Sequence, residues 1–178
     1  MNRQQSNAAT QVSHGFAGLA RKTFDELDNV FRTAFAPQDL TVLGASPAGR
    51  GLAIRGLDRG LAGVVLRATN GWRYAYWAGK AITSDNDGRA GTGSNIDRFG
   101  RELVPFTLRF GPSVIDGKEA LIFDYDHASN SRITRRLYNE LRQISPGIFL
   151  GSVNWQTNGR YRQLAWFALD ASRQLRKA

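Results

Sequence analysis

The chain has 178 residues, a formal net charge of +9 and no cysteine. One domain is therefore expected, and disulfides, thiolate metal sites and cysteine nucleophiles are excluded. Hydrophobic residues make up 42% of the chain, which excludes wholesale disorder, and the longest apolar runs, such as residues 60–66, fall far short of the ~20 residues of a membrane-spanning helix.

Positive charge is concentrated towards the carboxyl end. Residues 1–60, 61–130 and 131–178 carry net charges of +2, 0 and +7. A strongly basic chain is typical of nucleic-acid binders, but no aromatic RNA-binding motif or recognition-helix pattern accompanies the charge here. Nucleic-acid binding is therefore kept as an alternative.

An arm and one helix are predicted first. Residues 1–14 are polar and lack the apolar segment of a signal peptide, which predicts a flexible arm and a cytoplasmic protein. Across residues 15–36, apolar side chains recur every three or four positions and predict a helix that Pro37 ends; they are Phe16, Leu19, Ala20, Phe24, Leu27, Phe31 and Phe35. This apolar stripe is expected to pack on a sheet or to plug a barrel end.

Short strands separated by glycine are predicted next. Residues 49–56 and 61–68 indicate weak strands, and the aromatic-rich residues 71–82 a stronger one. Between residues 84 and 98 the chain is polar and rich in glycine, but its spacing fits neither a calcium loop nor a nucleotide-binding glycine motif. We expect a mobile lid or hairpin loop there, from which Asn95 and Arg98 can hydrogen-bond a ligand.

The clearest alternation of apolar and polar residues lies in the middle of the chain. Residues 103–110 place Val104, Phe106, Leu108 and Phe110 on one face of a strand, and Pro105 predicts an edge, a bulge or a strand start. In the strand predicted at residues 118–126, Leu121, Phe123 and Tyr125 share a face. The pair Asp116-Gly117 between these strands predicts a two-residue hairpin turn.

A late helix and a final hairpin complete the prediction. Asn130 or Ser131 can cap a helix that ends at residues 145–147, and its apolar stripe consists of Ile133, Leu137, Leu141 and Ile144. Strands at residues 148–155 and 161–169 are expected to join through Asn158-Gly159. Residues 171–178 are predicted to form a frayed basic tail.

These elements predict a mainly β protein. We expect an antiparallel lipocalin-like barrel of about eight strands, with an N-terminal helix and one late helix, as a single domain over residues 15–170. A barrel of about eight strands is just wide enough to hold one small ligand.

Two motifs carry a resemblance to a known family. Residues 75–80 (AYWAGK), followed by Asn95, resemble bacterial lipocalin-like domains named for a G-x-W-x-G-K signature, with alanine at its first position. Residues 120–125 (ALIFDY) and 147–151 (GIFLG) are similar to strands of a companion domain in such proteins. The resemblance spans roughly residues 40–155, and it implies a ligand-binding barrel rather than a named reaction.

Lys80, next to Trp77 and Gly79, is the first candidate functional residue. Its ammonium can meet an acidic group of a ligand at the barrel mouth, or form an imine if it is desolvated. The alternative is a lysine at a strand terminus in water, with Trp77 closing the barrel end.

Residues 124–127 form the densest ionisable cluster. Asp124 and Tyr125, with Lys80, are the candidate catalytic residues for proton transfer, provided that burial changes their pKa values. The alternative is a surface turn around Asp126 and His127. Because the chain has two histidines, one of them in the predicted arm, we predict neither a metal site nor a cofactor.

Arginines of the late helix and the final hairpin form a candidate anionic-surface patch; they are Arg132, Arg135, Arg136, Arg142, Arg160 and Arg162. The alternative is a solvated helix face or a contact with an acidic partner.

The leading hypothesis is binding of one small, largely apolar organic molecule inside the barrel. The expected ligand-binding residues are Trp77, Lys80, Asn95, Arg98, Phe106, Leu108, Phe123 and Tyr125. Two alternatives remain, a cofactor-independent isomerase or cyclase on the same barrel and a binder of nucleic acid or anionic surfaces through the C-terminal arginines. The prediction includes no metal and no membrane span, and it leaves room for a homodimer.

Overall fold

Eight strands form a closed antiparallel barrel in the computed structural model, which describes residues 15–56 and 77–176. They are β1 (Pro47–Ile54), β2 (Trp77–Ser84), β3 (Ala90–Asp97), β4 (Glu102–Pro112), β5 (Glu119–Asp124), β6 (Leu137–Ser145), β7 (Ile148–Thr157) and β8 (Arg160–Gln174). Each strand pairs with its neighbours in chain order, and β8 pairs with β1 to close the barrel. The predicted antiparallel barrel is confirmed. The predicted arm at residues 1–14, the weak strand at residues 61–68 and residues 71–76 lie outside the described residues.

Alternation along the strands separates an inner from an outer apolar layer. The inner layer is made of side chains such as Phe106, Phe123, Tyr125 and Phe167. The outer layer lies between the N-terminal helices and the outer face of β1, β7 and β8, where Trp166 is fully buried. Phe167 and Trp166 are consecutive in β8 and therefore point to opposite sides of the sheet.

The N-terminal region contains two helices rather than the single predicted one, α1 (Phe16–Leu19) and α2 (Phe24–Thr33). Thr23 and Glu26 form a capping box that starts α2, since the backbone N–H of Thr23 donates to the Glu26 carboxylate at 2.7 Å and the Glu26 N–H donates to Thr23 Oγ1 at 3.3 Å. The helices pack on the outside of the barrel. The last member of the predicted stripe, Phe35, lies beyond α2 and is 79% exposed.

A 3₁₀ turn after the helices closes one end of the barrel. Leu40 and Leu43 belong to the inner apolar cluster, and the Leu40 N–H donates to the carbonyl of Gly88 in the β2–β3 turn at 2.9 Å. The opposite end carries the β3–β4 turn, the segment between β5 and β6, and the β7–β8 turn. Among the described residues, the apolar side chains of Leu40 and Leu43 cover the end of the barrel that carries the β2–β3 turn.

The predicted late helix is wrong. Residues 131–133 are loop and turn, residues 134–136 form a single 3₁₀ turn, and the predicted helix from residue 137 onward is strand β6. Leu137 and Leu141 are four residues apart, a spacing that places two side chains on the same face of a helix and equally on the same face of a strand. In the barrel both leucines face the inner cluster, while Ile144 packs against the outer one.

The predicted long loop at residues 84–98 is mostly strand, since Ala90–Asp97 forms β3 and only residues 85–89 connect it to β2. Its glycines serve close packing. A Cβ at Gly93 would lie 2.2 Å from the Ala81 carbonyl oxygen and 2.6 Å from the ring of Phe106. The glycine content that indicated a loop therefore makes room for an inward-facing aromatic ring.

The turns agree in part with the prediction. Asn158 and Gly159 form the predicted two-residue hairpin turn, with φ values of 50° and 74°. Asp116-Gly117 does not form a two-residue turn, because β4 and β5 are joined by the six residues 113–118 and only Gly117 of the pair has a positive φ. Val104 has a φ of 58° where the β3–β4 register shifts, so a bulge is present beside Pro105, one of the three alternatives predicted there. At the other end of the chain, β8 extends through Gln174 into the predicted tail.

Candidate functional site

The first residues of β2 are shaped by close contact with β1. A Cβ at Gly79 would lie 2.3 Å from the carbonyl oxygen of Pro47, and a Cβ at Gly49 would lie 2.4 Å from the indole of Trp77. The two glycines therefore let the strands approach and let Trp77 lie across β1. The register shifts between Trp77 and Gly79, and this irregularity accounts for Trp77 and Lys80 both reaching the interior although they are three residues apart.

Lys80 is buried inside the barrel, with 1% of its surface exposed. Its Nζ donates to the hydroxyl of Tyr125 at 2.7 Å and to Oδ1 of Asn95 at 2.9 Å. Aromatic rings surround the amine, with the centroids of Phe106 and Phe123 at 4.6 and 4.7 Å from Nζ. The alternative of a lysine in water at a strand terminus is therefore wrong.

Burial changes the acid–base chemistry of Lys80. Desolvation lowers its pKa from 10.5 to about 7. None of the ion pairs between described residues involves Lys80, so no carboxylate among these residues offsets the loss of water. Near neutral pH the amine is therefore divided between its charged and its nucleophilic neutral form.

Tyr125 links Lys80 to two asparagines. Its hydroxyl accepts from Asn139 Nδ2 at 3.2 Å and donates to Asn95 Oδ1 at 3.3 Å. Burial raises the pKa of Tyr125, so the side chain stays a neutral phenol. Asn139 was not predicted as a site residue because residues 131–144 were assigned to a helix. Period-two alternation with Leu137 and Leu141 would have placed it inside a barrel.

The polar cluster borders a cavity of about 220 Å³. Its lining includes Trp77, Lys80, Asn95, Tyr125, Asn139 and Phe167. Two buried polar atoms of this lining, Nε1 of Trp77 and Oδ1 of Asn139, have no hydrogen-bond partner among the residues described. A cavity of about 150 Å³ suffices for benzene, so this one has room for a slightly larger ring compound, and it offers one free donor and one free acceptor.

The other four predicted ligand-binding residues, Phe106, Leu108, Phe123 and Arg98, are not among the residues that line this cavity. Phe106 and Phe123 flank the amine of Lys80, and Leu108 belongs to the same inner apolar cluster. Arg98 lies in the exposed β3–β4 turn, with its guanidinium carbon 4.8 Å from the ring centroid of Phe99.

The structure does not bring Asp124 together with the Tyr125 hydroxyl. Phe123 and Tyr125 face the interior, so Asp124 between them points to the outer side of the sheet, where its Oδ1 accepts from the backbone N–H of Asp126 at 3.0 Å. Asp126 forms an exposed ion pair with Arg135, and His127 contacts Ser129 in an exposed turn. Asp126 and His127 therefore lie in a surface turn, as the alternative predicted, whereas Tyr125 is buried inside the barrel.

The arginine patch loses one of its predicted members. Arg142 is completely buried and donates to both carboxylate oxygens of Asp116, at 2.8 and 2.7 Å, and to the carbonyl of Phe31 at the end of α2. It therefore fastens α2 to the loop between β4 and β5. The other five arginines are exposed; they are Arg132, Arg135, Arg136, Arg160 and Arg162.

The described residues contain no group of three or more histidine, aspartate or glutamate side chains that could hold a metal ion. Within residues 15–56 and 77–176, no helix has the length and apolar character needed to cross a bilayer. A cytoplasmic location and a homodimer stay predictions.

Comparison with known proteins adds one structural similarity. No protein-family profile and no curated protein matches the chain. A crystal structure of a protein from Thermomonospora curvata aligns with 84% of this chain and 87% of its own, at 16% sequence identity and a TM-score of 0.42. The barrel assignment therefore rests on the strand pairing of this chain, and membership of a named family stays a prediction.

Proposed function

We propose that the barrel binds one small, largely apolar organic molecule in the cavity beside Lys80. The observation that carries the proposal is the combination of free volume with polar atoms that lack partners. The cavity measures about 220 Å³, and the Trp77 N–H and the Asn139 Oδ1 on its wall are unpaired among the described residues. An unpaired buried polar group costs about 1–3 kcal/mol, a cost that a ligand with matching groups removes.

The chemistry of the lining limits the class of ligand. Aromatic and aliphatic side chains form most of the wall, and the polar groups are gathered at Lys80, Asn95, Tyr125 and Asn139. A few convergent polar groups in an otherwise apolar pocket fix the orientation of a ligand. The proposed ligand is a compact apolar molecule with a single polar end, and that end lies against Lys80.

The resemblance to lipocalin-like domains is part of the same proposal. Three residues of the signature, Trp77, Gly79 and Lys80, each have a different structural role in the barrel. Trp77 covers β1, Gly79 permits the approach of β1, and Lys80 brings an amine to the cavity. Residues 75 and 76 of the signature lie outside the described part of the chain.

A cofactor-independent enzyme on the same barrel is a second candidate, favoured by one observation. The buried amine of Lys80 and the neutral phenol of Tyr125 are 2.7 Å apart at the cavity wall. Such a pair can relay a proton within a bound substrate. Ligand binding is common to both candidates and is tested first.

Native mass spectrometry of the full chain, purified from its own cells, tests ligand binding. Val153 lines the cavity, so Val153→Trp fills it, whereas Val114→Trp adds the same side chain to a more exposed position in the β4–β5 loop. We expect one small molecule to be retained by the wild type and by Val114→Trp, and lost from Val153→Trp.

Thermal unfolding with benzyl alcohol gives an independent readout. A ligand at 100 times its Kd stabilises the folded state by about 2.7 kcal/mol. Stabilisation of the wild type and Val114→Trp, but not of Val153→Trp, would support the proposal. Equal responses of all three proteins, with no retained molecule, would overturn it.

A further inference from the structure

Among the described residues, Lys80 is the one lysine whose side chain is fully buried. The chain has four lysines, Lys22, Lys80, Lys118 and Lys177. Lys118 is exposed and donates to a backbone carbonyl on the protein surface, whereas Lys80 is buried at the wall of the cavity. An amine in such a position is reachable only by a molecule that already occupies the barrel.

The groups around Nζ of Lys80 are typical of a neutral, nucleophilic amine rather than of a charged ammonium that serves structure. A buried ammonium that serves structure is normally paired with a carboxylate, and Lys80 takes part in none of the ion pairs between described residues. Its hydrogen-bond partners, the Tyr125 hydroxyl and the Asn95 side-chain oxygen, are neutral. Desolvation in an apolar pocket is one of the ways in which proteins activate a lysine amine towards carbonyl groups.

We propose that Lys80 forms an imine with an aldehyde or ketone held in the barrel, an inference that rests on the proposed ligand-binding function. The lone pair of neutral Nζ attacks the carbonyl carbon, a C–N bond forms, and the carbonyl π electrons move to oxygen. The C–O bond then breaks. The two amine protons leave with that oxygen as one water molecule, so the step needs no oxidant or reductant.

Two neighbours can assist this step. The Tyr125 hydroxyl, 2.7 Å from Nζ, can give a proton to the developing alkoxide and recover one from nitrogen. The indole N–H of Trp77, without a partner among the described residues, lies on the wall of the same cavity and can donate to the carbonyl oxygen. Neither function requires a charged side chain.

The neutral fraction of the amine sets the expected selectivity. At pH 7 a lysine with a pKa of about 7 is half neutral, and this fraction is on the order of 10³ times that of an unperturbed lysine. An aldehyde at low concentration should therefore label Lys80 well before the three other lysines. Labelling should fall as the pH drops below 7.

Reductive trapping tests the proposal on the full chain. The protein is mixed with benzaldehyde at pH 7, borohydride converts any imine into a secondary amine, and peptide mass spectrometry locates the added benzyl group. Lys80→Met removes the amine while keeping a long apolar side chain, and Lys118→Arg is the matched control that removes an exposed lysine. Circular dichroism shows whether each variant is folded.

The outcomes separate the imine from ligand binding. A benzyl group on Lys80 in the wild type and in Lys118→Arg, with total labelling reduced roughly tenfold or more in Lys80→Met, supports the proposal. Equal labelling of all lysines overturns it. Benzyl alcohol has the same carbon skeleton and cannot form an imine, so stabilisation by the alcohol without labelling overturns the imine and leaves ligand binding intact. If neither compound interacts with the protein, the imine proposal is overturned, and ligand binding is overturned with it when native mass spectrometry shows no retained molecule.

If Lys80→Met does not fold, the pH dependence of labelling in the wild type tests the imine proposal instead. Labelling of Lys80 that rises with a midpoint near pH 7 supports the proposal. Labelling that rises only near the pKa of an ordinary lysine overturns it.

Discussion

Lys80 on β2 and Tyr125, the residue that follows β5, meet inside the barrel, where Nζ donates to the tyrosine hydroxyl at 2.7 Å and each residue is 1% exposed. The two residues are separated by 45 positions in the chain and by two intervening strands of the sheet. Closure of the barrel brings them together across the interior. The contact joins a weak base to a weak acid at the wall of the cavity.

Replacing Lys80 by methionine should stabilise the protein in a pH-dependent way. Because burial lowers the pKa of Lys80 from 10.5 to about 7, the unfolded chain binds more protons than the folded one between these values, and wild-type stability rises with pH across this window. The total change corresponds to about 5 kcal/mol. In urea unfolding, the free energy of unfolding of Lys80→Met should exceed that of the wild type by most at pH 6 and by least near pH 10. A difference in this free energy that does not change with pH would contradict burial of the Lys80 amine.

Replacing Arg142 by methionine should destabilise the protein strongly. The guanidinium is completely buried and bonds to Asp116, to Phe31 at the end of α2 and to the carbonyls of residues 118 and 119. Removing one partner of a buried pair costs about 3–5 kcal/mol. Arg136→Met, at an exposed position, is the matched control and should change the free energy of unfolding by less than about 0.5 kcal/mol. Equal effects of the two substitutions would refute this structural assignment of Arg142.

The same ion pair predicts an acid sensitivity. Hydrogen bonds from Arg142 hold the pKa of Asp116 below its usual range. The pair therefore contributes stability that is present above the pKa of an unfolded aspartate and is lost as the pH falls through the folded value. Asp116→Asn should flatten the acid limb of the stability curve. An unchanged acid limb would show that Asp116 titrates normally.

Much of the fold follows from local patterns. The alternation of Phe106 with Leu108, and of Leu121 with Phe123, identifies the inward face of β4 and β5, and both pairs are buried in the inner cluster. The turn at Asn158-Gly159 is formed by residues that adopt positive φ readily. The failures have physical causes as well. Leu137 and Leu141 satisfy a helix and a strand equally, and only pairing with β5 and β7 selects the strand.

The candidate site could be predicted only in part. Lys80, Asn95 and Tyr125 were predicted as ligand-binding residues, and the structure brings them together. Their mutual contact depends on barrel closure and on the register shift after Trp77, neither of which is a local property of the sequence. The burial of Arg142 likewise depends on α2 packing over the barrel, which no pattern of arginines reveals.

A glycine substitution tests why β3 is so rich in glycine. A Cβ at Gly93 would collide with the Ala81 carbonyl and the ring of Phe106. Gly93→Ala should therefore destabilise the protein by about 1–3 kcal/mol or more. Nothing lies within 4 Å of a Cβ at Gly18 in α1, so Gly18→Ala is the control and should be neutral or stabilising by up to about 1 kcal/mol. Differential scanning calorimetry measures the unfolding temperature of each variant. Similar unfolding temperatures for Gly93→Ala and Gly18→Ala would contradict the tight packing at Gly93.

Replacing Tyr125 by phenylalanine should separate binding from covalent chemistry. The variant keeps the aromatic ring but loses the hydroxyl that contacts Nζ and Asn139. If the hydroxyl transfers protons during imine formation, the labelling rate with benzaldehyde should fall by roughly 10²-fold. Stabilisation by benzyl alcohol should change much less. Equal losses in both measurements would mean that Tyr125 contributes to binding alone.

Nuclear magnetic resonance of the full chain labelled with ¹³C at lysine Cε is the most direct test of the central claim, that an uncharged ligand binds beside a buried amine. Four lysine signals are expected. The account predicts that one of them, absent from Lys80→Met, titrates near pH 7 and shifts on addition of benzyl alcohol while the other three stay in place. Four signals that all titrate as ordinary lysines, with none responding to the alcohol, would contradict it.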